Sequence, residues 1–300
     1  MVKGARLWGV VALCVLSGSG WVFVQAWPSE MAWPFGACLH FGLIALVGLS
    51  VASLQGDWSG LPWVRGVLVG AAGSGLVALP AAVLQLAAGK VSEATSVTVF
   101  CSVPLMTVLA AGALGAGDGE ASRLRGLMVP SVVGLGGALL LSPPESPGSL
   151  RRWLFLGLVM GCCVVVALAG VWMHRLMQGV GVAAAVAVIA LGSASALGLY
   201  GAAVGWPALG WRVVEGEMLR CIVFDLPVVW LTVWLAREMN AARLSARFLL
   251  VPLVTVAEGY AVERGPLELK TLLAVGLLCA GGVMLLVWDE PEGVAGLGLR

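Results

Sequence analysis

Charge is what this 300-residue chain has least of: 11% of its residues are charged, and the formal net charge is +1. A water-soluble domain carries roughly 25% charged residues, so this chain lacks the polar groups to cover itself in water. The balanced charge gives no basic footprint for a nucleic-acid partner. Histidine occurs only at His40 and His174, and neither has a partner nearby in the sequence. Seven cysteines are present, yet no C-x-x-C and no neighbouring histidine give a metal-ligand spacing. They read as small apolar packing residues. There is no G-x-S-x-G elbow, and "GAGDGE" lacks the strand, lysine and hydroxyl of a phosphate loop. The expectation is a protein that is not an enzyme and holds neither metal nor cofactor.

Long apolar runs separated by short charged loops are what the chain has instead. It is 60% hydrophobic with a mean hydropathy of +1.00. A hydrocarbon core about 30 Å thick takes roughly 20 apolar residues as a helix, and backbone in lipid must satisfy its own hydrogen bonds. The spacing predicts an all-α membrane protein with ten transmembrane helices near 7–26, 32–53, 64–86, 94–114, 125–141, 153–173, 180–204, 218–236, 242–262 and 270–288. The fifth is the shortest. Tryptophans at the ends of runs suit headgroup-level anchors. Small residues one turn apart, such as Gly66 with Gly70 and Gly157 with Gly161, permit close helix packing.

The sharpest break is "SPPESPGSLRR", residues 142–152, with five spans on each side. It divides the chain into units 1–141 and 153–300. The two units share a phrase: "FCSVPLMTV" from Phe100 and "FLLVPLVTV" from Phe248, an offset of 148 (248 minus 100). Similar glycine-rich endings follow, "GLGGALLL" from Gly134 and "CAGGVMLLV" from Cys279. Matches at Phe, Pro, Thr and Gly-Gly argue for an internal repeat. An odd number of spans per unit turns the second unit upside down, a 5+5 inverted repeat of the kind that recurs in secondary transporters.

The chain resembles the drug/metabolite transporter superfamily, as two tandem EamA-like domains. The residues that carry the resemblance are "LAAGKVSEATSVTVFCSVPLMTVLAAGALG" with Glu120, Arg125 and Gly126, and "ARLSARFLLVPLVTVAEGYAVERGP" followed by "AVGLLCAGGVMLLV". The chain departs from the family's compact Gly-Glu in both units, reading "GAGDGE" around Glu120 and "VERGP" around Glu263. The resemblance implies transport of amino acids, related metabolites or small drugs, often outward. The same fold also carries nucleotide-sugars or lipid-linked groups, and a non-transporting membrane scaffold is the reading from another class.

Pro104 and Pro252 lack an N–H and leave the carbonyls of Phe100 and Phe248 without their helical partners. Thr107 and Thr255 follow one turn later. Either the two spans are hinges facing a central cavity, or they are ordinary kinked helices whose threonines bond back to their own backbone. A carboxylate at membrane depth is costly and a functional candidate by default. Glu258 lies near the kinked face without a counterpart in the first unit, and Asp225 precedes Pro227 in "CIVFDLPVV". Each could bind a proton or a cationic substrate group, or pair structurally with Arg220 or Arg247. Gln85 near the end of the third span suits a cavity mouth. Trp21, with Ser17 and Ser19, suits a small-polar face of the first span or helix packing. The reading as a whole is a secondary transporter in the lipid bilayer that moves a small organic molecule by alternating access, with protons as a possible coupling ion. Lys3 and Arg6 before the first span place both termini in the cytoplasm, at the inner (plasma) membrane.

Overall fold

The structure is a computed structural model that describes residues 2–20, 31–114, 118–144, 148–205, 211–263 and 268–287. Within these ranges the chain is helical, with no strand among the described residues. Helix α1 runs Val2–Gly18 and α2 Trp33–Gln55. Pro34 occupies the first turn of α2, where its missing N–H costs nothing. The helix ends on Gly56, whose φ of 69° is the left-handed conformation that favours glycine. Helix α3 is Trp63–Ala87. The fourth span is broken into α4, Glu93–Phe100, and α5, Val103–Ala113. The hydroxyl of Ser92 caps α4 by accepting from the Thr95 N–H. Then come α6, Asp118–Leu141, α7, Leu150–Leu176, and α8, Val182–Val204. The eighth expected span comprises α9, Trp211–Arg220, a wide turn of π geometry at Cys221–Asp225, and α10, Leu226–Glu238. The ninth comprises α11, Ala241–Ser245, and α12, Arg247–Glu263. Helix α13, Leu269–Val287, is the last described.

Eight helical stretches are long and apolar enough to cross a membrane: 33–55, 63–87, 93–113, 150–176, 182–203, 211–238, 241–262 and 269–287. Two shorter apolar helices, Gly4–Gly18 and Gly126–Leu141, coincide with the first and fifth expected spans. The outer surface is apolar to match. Leu54, Leu199 and Leu154 are 88%, 76% and 68% exposed, and Trp63 and Trp211 stand out at helix starts. Soluble proteins do not expose apolar surface on this scale. This is a multi-pass integral membrane protein.

Helix pairing sets where the interior lies. Helix α2 packs along α8, α6 along α13, α3 against α7 and α8, and α5 against α7 and α6. Helix α1 packs against α10 and α12, α12 against α13, and α9 against α2. The repeated glycine phrase makes the α6–α13 crossing. A Cβ on Gly281 would lie 2.6 Å from the Cα of Gly134, and one on Gly137 would lie 2.7 Å from the Leu278 nitrogen. Of the small-residue pairs expected from spacing, Gly70 does approach a neighbouring backbone, with its Cβ position 3.1 Å from the Val188 carbonyl. Gly157 and Gly161 meet nothing within 4 Å among the described residues, so that pair packs no described helix.

One end of the bundle gathers the start of α1, the turn after α2, and the ends of α5, α7 and α10. Arg6 pairs with Glu238 at 3.1 Å, Arg65 donates to the Leu176 carbonyl at 2.9 Å, and Arg175 reaches the Leu114 carbonyl at 3.3 Å. At the other end Lys90 lies 4.8 Å from the Phe155 ring centroid, and Thr98 donates to the Ser142 carbonyl at 2.8 Å.

Candidate functional site

The two repeated phrases meet in the interior. Phe100 and Phe248 stack with ring centroids 6.0 Å apart at an interplanar angle of 20°. Each is the eighth residue of its span, counted from Glu93 and from Ala241. Pro104 sits in the first turn of α5, after the break at 101–102, so no interior helical bond is lost there. Pro252 lies inside the continuous helix α12, and the break in that span comes earlier, at Ala246. The proline of the second phrase therefore does free the carbonyl of Phe248. The thiol of Cys101 donates to it at 3.3 Å, from the partner phrase. Thr107 bonds back to the Val103 carbonyl at 2.8 Å and is buried. Thr255 donates to Val251 of its own helix at 3.3 Å and reaches the Gly18 carbonyl at 3.4 Å. The threonines thus take the backbone-bonded geometry, and the segments around Cys101–Ser102 and Ala246 carry the discontinuity.

Beside the stacked rings is a narrow cavity of about 10 Å³, lined by Leu76, Val103, Thr107, Val166, Ser245, Arg247 and Phe248, among others. Arg247 is its charged member. The guanidinium donates to the Thr232 hydroxyl at 3.0 Å and the Leu76 carbonyl at 3.5 Å, and lies 4.8 Å from the centroid of Phe248. Among the described residues no carboxylate pairs with it. From the sequence Arg247 is only a potential partner for a carboxylate. That it opens on a cavity depends on α3, α5, α7 and α11, which the sequence does not place.

Asp225 pairs with neither Arg220 nor Arg247 in an ion pair. Its carboxylate lies 2.6 Å from Nδ1 of His40, whose Nε2 is 2.9 Å from Glu217. His40 and Glu217 are buried, while the Asp225 side chain is 46% exposed. The π-geometry turn at Cys221–Asp225 presents this carboxylate, and such turns cluster at functional sites. Nothing in the order of residues marks His40 as their partner, since it lies 177 residues from Glu217. Glu217 stands eight residues before Asp225, a little over two helical turns. Glu258 is half-buried and accepts a hydrogen bond from the Ser19 hydroxyl, which ties α12 to the chain just after α1. Gln85 is exposed. Trp21 lies outside the described residues, as do the side chains of Glu120 and Glu263.

The architecture has a solved counterpart. The chain is similar in fold to a protein of known crystal structure, with a TM-score of 0.71 and 16% identity over 95% of this chain and 98% of that one. At that identity the likeness speaks for the fold alone. No family model matches the chain, and no curated protein matches its sequence.

Proposed function

We propose that the protein is a ten-helix, 5+5 inverted-repeat secondary transporter of the EamA-like kind, moving a small amino acid-like or drug-like molecule by alternating access, outward in the cell. The observation that carries this reading is the meeting of two broken spans, one from each unit, at Phe100 and Phe248 beside a partly polar cavity. The pattern of helix pairing supports the repeat. Exchanging the units turns α3 against α7 into the eighth span against α1, and α5 against α7 into α12 against α1. The same exchange returns α2–α8 and α6–α13 to themselves, and α5–α6 becomes α12–α13. A two-fold axis in the membrane plane produces that symmetry. At about 10 Å³ the cavity has room for at most a single water molecule, far below the roughly 300 Å³ of a small ligand pocket. Substrate entry then requires the surrounding helices to part, toward one side and then the other. His40 with Glu217 and Asp225 forms the proton-exchanging group of this reading, and Glu258, on the proline-containing α12, is a second carboxylate.

Alternating access is testable without knowing the substrate. Cys38 and Cys279, the thiols that are not buried, are replaced, and Ser245→Cys is introduced in the cavity wall. A membrane-impermeant maleimide should then label position 245 from either side of sealed vesicles. Labelling from neither side, together with no saturable counterflow of any radiolabelled amino acid or small drug in proteoliposomes, would leave the scaffold reading.

A further inference from the structure

We propose that Arg247 is an anion-binding residue of the central cavity, and that the molecule carried there bears a single carboxylate. The second clause rests on the transporter reading; the first does not. A charged side chain inside the membrane is costly and persists where something compensates it. Arg247 has a hydroxyl, a backbone carbonyl at the limit of hydrogen-bonding distance, and an aromatic ring, but no carboxylate among the described residues. A guanidinium has five N–H donors. Thr232 and Leu76 take two, and the remaining donors fit the fork geometry that binds a carboxylate through two parallel bonds.

The rest of the wall narrows the class. Leu76, Val103, Val166 and Phe248 offer apolar surface, and no second cation is among the described lining residues. One positive charge matches one negative charge, whereas a phosphate monoester carries about two at neutral pH. An amine without a carboxylate would meet the guanidinium's repulsion. Thr107 and Ser245 spend their hydroxyl hydrogens on the carbonyls of Val103 and Ala242, leaving oxygen lone pairs that can accept. The wall draws on both units, Thr107 from one and Arg247 from the other, so an anion seated there is linked to their relative movement.

The test is thermal unfolding of the purified full-length protein against matched acids and amides: benzoate with benzamide, and leucine with leucinamide. Sodium chloride at equal ionic strength is the background. The acids should raise the melting temperature in a saturable way, and the amides should not. Arg247→Gln should weaken apparent acid affinity at least tenfold, and Arg247→Lys by less. Should Arg247→Gln fail to fold, Val166→Leu narrows the cavity with Arg247 in place and must also weaken acid binding. Equal effects of acid and amide, no effect of either acid, or acid binding unchanged in Arg247→Gln each overturn the assignment. Acid binding without counterflow in proteoliposomes keeps Arg247 as an anion site and removes transport. Counterflow of amides alone keeps transport and removes the carboxylate.

Discussion

Cys101 shows at the scale of one residue how the two halves depend on each other. Its thiol serves the carbonyl of Phe248 that Pro252 leaves without a helical N–H. Cys101 is fully buried, so Cys101→Ala strands an acceptor away from water. The cost should be near 1 kcal/mol, the low end of the ~1–3 kcal/mol for a buried unsatisfied group, because a thiol is a weak donor. Cys101→Ser should recover most of it. In a Pro252→Ala background, where residue 252 supplies the N–H, Cys101→Ala should cost less. Unfolding of the four variants in a double-mutant cycle measures that coupling, and additive costs would count against the bond. At the same scale Glu258→Gln should abolish pH-dependent transport with folding intact, and Asp225→Asn tests the His40 cluster in the same assay. Normal pH dependence in both would remove proton exchange from these carboxylates.

Elements meet here through what their surfaces omit. The α6–α13 crossing brings backbone to backbone at Gly134, Gly137 and Gly281, and a backbone cannot swing aside as a side chain can. Gly281→Val should therefore cost at least the ~1–3 kcal/mol typical of an overpacked site. Gly157→Ala, in open space, should be neutral or slightly stabilising, since alanine favours helix over glycine. Comparing the two by thermal unfolding separates crossing glycines from those that merely belong to a glycine-rich span. A Gly281→Val protein as stable as the parent would mean that this crossing does not hold the bundle together.

For the whole molecule, Arg6, Asp57, Gln178, Arg237 and Glu238 line an open polar cleft of about 560 Å³ at one end of the bundle, across which Arg6 pairs with Glu238. Arg237 adds a hydrogen bond to the Val180 carbonyl at 3.3 Å. Under the proposed alternating access, this cleft widens until it reaches the cavity wall at Ser245. Exposed ion pairs contribute about 0–1 kcal/mol, so Glu238→Gln should raise labelling of Ser245→Cys from this side by no more than about fivefold. A fall in labelling would contradict the closing role of the pair. Reporter fusions should place both termini at this same end, on the cytoplasmic side, and a terminus found outside would reverse the orientation.

Composition and the spacing of apolar runs were enough to establish a helical membrane protein, because lipid leaves backbone few ways to satisfy itself. The repeated phrase also pointed, from sequence, to Phe100 and Phe248, which stack, and to glycines that do form a crossing. Helix breaks were harder to place: proline marks a lost donor, while the discontinuities fall at 101–102 and at Ala246, where packing between spans decides the bend. Partners across the bundle were not legible at all. His40 finds Glu217 and Asp225, Cys101 finds Phe248, and Arg247 finds a cavity rather than a carboxylate. Those pairings join residues far apart in the chain, and one helix's periodicity says which face is polar but not what that face meets. Tertiary packing alone sets that.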